Sequence, residues 1–153
     1  MTIDIQKIIS DVRYLLETYS NTKRSTLQPF NYKHHKMDNP TYDYNPEDML
    51  VRESLLEHVG VLPILASYFY SYCEEEFDLG KSLHILAVHD IGELIVGDTH
   101  AYLKTSDQDS DEVTAALSLL HESQRERYLE FENCLTIEAE FANLVPESNA
   151  LWP

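Results

Sequence analysis

The sequence predicts an all-α fold, and three observations carry that prediction. Apolar residues recur at spacings of three and four through most of the chain, no alternating apolar and polar pattern competes as a strand, and glycine is scarce at 4 of 153 residues. A chain of 153 residues fits one domain with a real core and leaves little room for a second, so residues 1–153 are expected to form a single domain.

The elements follow in order. "IDIQKIISDVRYLLETY" places Ile5, Ile8, Ile9, Val12, Leu15, Leu16 and Tyr19 on one stripe, which predicts a first helix over residues 1–19 whose apolar face packs on the core. From residue 20 to residue 46 the pattern collapses into an Asn-, Pro-, Thr- and Tyr-rich segment with no period, a long connection. A helix then starts with Asn45 as N-cap and Pro46 at its first position, and Pro63 either kinks it or divides it in two. "DLGKSLHILAVHDIGELIVGD" reads as a central apolar helix from about Leu79 to Ile95, ending near Gly97. "SDQDSDEV" is expected as a polar loop leading into the helix "EVTAALSLLHESQRERYLEFEN", and "LTIEAEFANLV" as a last short helix. Residues 47–145 form the motif-bearing core of this reading, and residues 146–153 an atypical tail.

Charge and composition exclude several functions. A net charge of −16 argues against affinity for polymeric nucleic acid, which draws on clustered Lys and Arg. A small phosphorylated ligand stays compatible, because a divalent cation can supply the missing positive charge. No apolar run reaches the length of a membrane span, and the first residues lack the basic segment and apolar core of a secretory signal. Cys73 and Cys134 form no CxxC pair, which suits a reduced, cytoplasmic setting.

The chemistry concentrates in "LAVHDIGELIVGDTHAY". On a helix His89 and Glu93 point the same way, with Asp90 about 100° round the axis, and Asp98 follows Gly97, where the chain can turn back. His58 lies upstream among apolar residues, beside Glu57. Any one of these groups alone is explained by a buried histidine bonded to a carbonyl or by a carboxylate at a helix end. Together, imidazoles and carboxylates suit a divalent metal with open positions for water and substrate, and Glu93 is placed to move a proton. His34 and His35 read as exposed loop residues and His84 as a core histidine. His100 and Lys104 follow Asp98 closely enough to line a substrate pocket.

"ESLLEH", "AVHDIGE" and "VGDTHAY", in this order, resemble the HD-domain metal-dependent phosphohydrolases, and especially the small all-α branch similar to the bacterial 5′-deoxynucleotidases; "YLEFENCLTIEAEF" extends the likeness over about residues 47–145. The resemblance implies an HD-like helical bundle in which His58, His89 and Asp90 bind a divalent metal (Mn, Co, Mg, Zn or Fe), with Glu93 and Asp98 as catalytic or supporting acids. It implies hydrolysis of a small phosphomonoester, commonly a nucleoside 5′-monophosphate, and a homodimer. Arg52 is nearest to the upstream arginine that would bind the phosphate. The chain departs from the family in one place. Pro146 stands where the last aspartate ligand is expected, and no Asp follows Asp111. Glu147 or a water could then take that position, or the chain is a degenerate HD protein with a binding or assembly role.

Overall fold

The computed structural model describes residues 5–27, 52–98 and 105–149. In chain order they form α1 (Ile5–Asn21), β1 (Lys23–Leu27), β2 (Arg52–Ser54), α2 (Leu55–Tyr70), α3 (Leu79–Val88), α4 (Glu93–Val96), α5 (Ser106–Leu119), α6 (Glu122–Asn133) and α7 (Ile137–Asn149). The architecture is an all-α bundle, as the periodicity predicts. None of the described helices is long and apolar enough to cross a membrane.

Two strands fall where sequence reading expects only connection or helix. β1 pairs antiparallel with β2, Lys23 opposite Ser54 and Leu27 opposite Arg52, so the start of the long connection is tied to the residues just before α2. The two strands, KRSTL and RES, are short and almost wholly polar, so they carry no apolar alternation to read. The helix expected from Pro46 starts instead as α2 at Leu55; positions 45 and 46 lie outside the described residues. Ser54 caps it, accepting a hydrogen bond from the Glu57 amide while Glu57 Oε2 accepts one from the Ser54 amide at 2.9 Å. That reciprocal pair satisfies two groups a helix start would otherwise leave unbonded. Pro63 divides nothing, and α2 runs through it with the proline exposed.

The central helix is shorter than expected. α3 ends at Val88, and His89 to Gly92 form tight turns before the single turn of α4, with Ile91 bonding back to Val88 and Glu93 to Asp90. Gly97, at φ +80°, ends α4 in a conformation that favours glycine. The polar "SDQDSDEV" is the start of α5 and not a loop: Thr105 and Gln108 form a capping box, and Asp107 and Asp109 complement the positive helix end. The following helix is broken at Leu120, which is extended, and α6 restarts after His121, whose amide donates to Gln124 Oε1. α7 continues through Pro146 to Asn149, so the expected tail is partly helical.

Two apolar clusters hold the bundle. Leu62, Ala66, Ile85, Leu86, Ala139, Phe141, Ala142 and Val145 join α2, α3 and α7; Tyr19, Leu55, Val88, Ile91, Ala116, Leu120 and Tyr128 join the ends of α2 and α3 to α1, α5 and α6. Lys81 of α3 pairs with Glu130 of α6 and Glu138 of α7, fixing these three helices together at the surface. The stripe of α1 packs on the described core only at its C-terminal end, where Leu15 and Tyr19 meet the second cluster. Tyr19 is buried, but Ile5, Ile8, Ile9, Val12 and Leu16 are 45–63% exposed. Amphipathic spacing identifies the helix and its apolar side, but not what covers that side.

Candidate metal centre

The candidate centre lies where the two clusters meet. On α2, Leu55 belongs to one cluster and Leu62 to the other, and His58 sits between them on the same face at helical spacing. On α3, Leu86 and Val88 make the same transition, and His89 follows as the helix C-cap. His89 Nδ1 lies 2.8 Å from the Leu86 carbonyl oxygen. Donation there leaves Nε2 facing Asp90 Oδ1 at 3.0 Å. His58 Nε2 approaches the other oxygen, Asp90 Oδ2, at 3.5 Å, and the two imidazole rings stand 6.0 Å apart. All three side chains are buried, and each presents a ligand atom within 4.8 Å of the others.

Around this triad the carboxylates share a cation that sequence reading missed. Arg24, on β1, places Nη1 3.2 Å from Asp90 Oδ2 and 3.6 Å from Glu93 Oε2, and Nε 3.7 Å from Asp98 Oδ2. Asp98 is brought in by the turn at Gly97. Arg52, on the paired strand, was the expected phosphate-binding arginine; it lies opposite Leu27 in the ladder, and its side chain is outside the described ones. Local pattern gives no signal for Arg24, whose 66-residue separation from Asp90 is closed only by the fold.

The electrostatics follow from burial and charge. Burial works against an ionised Asp90, but His89, Arg24 and His58 outweigh it and hold the carboxyl well below the usual carboxylate range. Burial also opposes a charged His89, yet the Asp90 charge and hydrogen bond raise its pKa. Glu93 goes the other way, pushed up to about 9 by burial and by the charge on Asp90, with Asp98 and Glu112 adding and Arg24 opposing. Tyr19, buried beside the site, has its hydroxyl pushed up by burial and by the Asp90 and Glu93 charges.

These residues fit a divalent cation. A histidine whose Nδ1 bonds a backbone carbonyl is held with Nε2 toward the ion, a common arrangement of metal-ligating imidazole. Burial and the charge on Asp90 disfavour a second ionised carboxylate at Glu93, and Asp98 adds to that. A cation would relieve that penalty.

The remaining predicted residues are placed as follows. His84 is exposed, not a core histidine, because the packed face of α3 is carried by Ser82, Ile85, Leu86 and Val88. His100, Lys104, His34 and His35 lie outside the described residues. Pro146, in α7, offers no ligand atom; the side chain of Glu147 lies outside the described ones. Asn143 on the same helix turns its amide to the Ala139 carbonyl at 3.0 Å and to Cys134 Sγ at 3.6 Å, toward the end of α6. Among the described residues the ligand cluster consists of His58, His89 and Asp90.

An all-helical bundle with a buried His, His-Asp cluster defines a class, and the chain belongs to it: residues 47–151 match the HD domain family. Solved structures share the fold along nearly the whole chain. A predicted metal-dependent phosphohydrolase from Magnetospirillum magnetotacticum MS-1 superposes with a TM-score of 0.70 at 22% identity, covering 96% of this chain and 69% of its own. A conserved hypothetical protein from Pyrococcus furiosus gives a TM-score of 0.66 at 19% identity, covering 92% and 78%. A Pyrococcus horikoshii OT3 protein gives 0.64 at 17%, covering 92% and 73%. No curated protein matches the sequence.

Proposed function

We propose that the chain is a divalent-metal-dependent phosphohydrolase acting on a small phosphomonoester, with nucleoside 5′-monophosphates as the substrate class. The observation that carries this reading is the set of three buried ligand atoms within 4.8 Å of one another, next to an arginine and an acid of raised pKa. The Magnetospirillum relative, described as a predicted metal-dependent phosphohydrolase, supports the reaction class; the nucleotide substrate rests on motif resemblance.

A divalent cation bound by His58, His89 and Asp90 would supply Lewis acidity and an acidified water for attack on phosphorus. The chain's own residues do the rest. Arg24, 21% exposed at its side chain, presents guanidinium N–H groups to phosphate oxygens, the geometry that arginine offers best. Glu93, whose Oε2 lies 3.6 Å from Arg24 Nη1, assists the proton movement between the attacking water and the departing alkoxide. Asp98, 3.7 Å from Arg24 Nε, orients that guanidinium. Metal-dependent release of phosphate from a panel of nucleoside monophosphates tests the proposal with Mn²⁺ or Co²⁺. Activity should appear and be lost in His89→Ala and Asp90→Ala. A folded protein without turnover under any of these conditions contradicts it.

Pro146 favours a second reading. With no carboxylate at the position of the family's last ligand, the chain would be a degenerate HD protein with a binding role. Metal content of the purified protein separates the two.

A further inference from the structure

We infer that Arg24 is the resident counter-cation of this centre and competes with a divalent cation for Asp90 until a phosphate group joins them; the inference rests on the metal-centre reading above. Asp90 Oδ2 carries the observation. It is at once 3.5 Å from His58 Nε2, as a metal ligand would be, and 3.2 Å from Arg24 Nη1. Arg24 also holds Glu93 Oε2 at 3.6 Å and Asp98 Oδ2 at 3.7 Å. One guanidinium therefore spans three acids that the fold collects from the turn after α3, from α4 and from the residue after Gly97.

Because Arg24 Nη1 is 3.2 Å from Asp90 Oδ2, an ion bound to Asp90 would share that carboxylate with the guanidinium. Two positive charges so close, in a partly buried site, repel by well more than thermal energy. The described cations at neighbouring surfaces do not share this role: Lys81 and Arg127 pair with Glu130 and Glu138 on α6 and α7. Arg24 must either withdraw from Asp90 when the ion enters or weaken its binding.

A phosphate reverses the sign of this coupling. Its oxygens accept from the guanidinium and neutralise the repulsion, so metal and phosphate each favour the other through Arg24. The centre then binds its ion weakly alone and tightly with substrate. Because coupling is reciprocal, it is measurable from the metal side alone.

The test is calorimetric titration of Mn²⁺ into chelator-stripped protein, with and without inorganic phosphate. The proteins are wild type, Arg24→Met, Arg24→Lys and the exposed-site control Arg13→Met. Wild type should bind Mn²⁺ at least about fivefold more tightly with phosphate. Without phosphate, Arg24→Met should bind at least about threefold more tightly than wild type, and phosphate should no longer help it. Arg24→Lys and Arg13→Met should stay near wild type. The metal-free Arg24→Met protein should also melt earlier, having lost the counter-cation. Equal or weaker Mn²⁺ binding by folded Arg24→Met, or wild-type binding indifferent to phosphate, overturns the inference while leaving the metal centre intact. If Arg24→Met does not fold, Arg24→Gln, which keeps the polar head and removes the charge, replaces it with the same expected and overturning results. Absence of Mn²⁺ binding by every protein defeats the metal reading itself.

Discussion

Gly92 and Glu112 meet at backbone level: a Cβ at Gly92 would lie 2.5 Å from the Glu112 carbonyl oxygen and 2.6 Å from its Cγ. The contact presses α5 onto the turn that carries His89 and Asp90 into the site. Gly92→Ala should therefore destabilise by about 1–3 kcal/mol, because backbone must move to admit the methyl. Gly60, exposed on α2, has nothing within 4 Å of an added Cβ. Gly60→Ala should be neutral or stabilising by up to about 1 kcal/mol. Urea denaturation of both variants checks the contrast, and a neutral Gly92→Ala would refute the packing account.

The start of α2 is a second point of leverage, since it sets the position of His58 one turn further on. Ser54 Oγ accepts from the Glu57 amide and lies 2.7 Å from Glu57 Oε2. Ser54→Ala should cost about 1 kcal/mol and Ser54→Thr much less, because threonine keeps a hydroxyl that both accepts from the Glu57 amide and donates to its carboxylate. Equal losses from the two substitutions would show that the cap does not matter.

The raised pKa of Glu93 makes stability depend on pH in a defined direction. Its carboxyl sits at about 9 in the folded, metal-free protein against 4.5 ordinarily, so the native state keeps a proton that the unfolded chain releases. That favours unfolding increasingly as pH rises from about 4.5 toward 9, and the contribution is fully present only below the lower value. Glu93→Gln removes this contribution. In thermal melts of metal-free protein, its advantage over wild type should grow by at least about 2 °C between about pH 5 and pH 8. A constant difference would contradict the shift.

Helical periodicity made most of the bundle readable, and where it failed the cause was contact between distant residues. The stripe Leu55, His58, Leu62 and the run ending at Val88 are local patterns, and they lead to His58, His89 and Asp90. The break after Val88 is not local. Just past it Gly92 meets Glu112, twenty residues on in a helix whose polar first turns resemble a loop. Arg24 was hidden for the same reason: only the pairing of β1 with β2, across the whole long connection, carries it to Asp90. Arg52, the phosphate-binding arginine that the resemblance suggests, lies on β2, paired with the strand that carries Arg24.

α1 offers a test of what an apolar stripe is for. Val12 is 45% exposed, whereas Leu62 is fully buried. Val12→Ser should change stability by no more than about 0.5 kcal/mol. Leu62→Ala should cost about 2–5 kcal/mol. A large loss at Val12, read by chemical denaturation at several protein concentrations, would mean that this face is covered in solution.

The central claim is that His58, His89 and Asp90 hold one divalent ion. Anomalous diffraction from crystals soaked in Mn²⁺ measures this most directly. The account predicts a single strong peak among His58 Nε2, His89 Nε2 and the Asp90 carboxylate, at about 2.0–2.3 Å from each donor. A peak elsewhere, or none in well-ordered crystals, would contradict it.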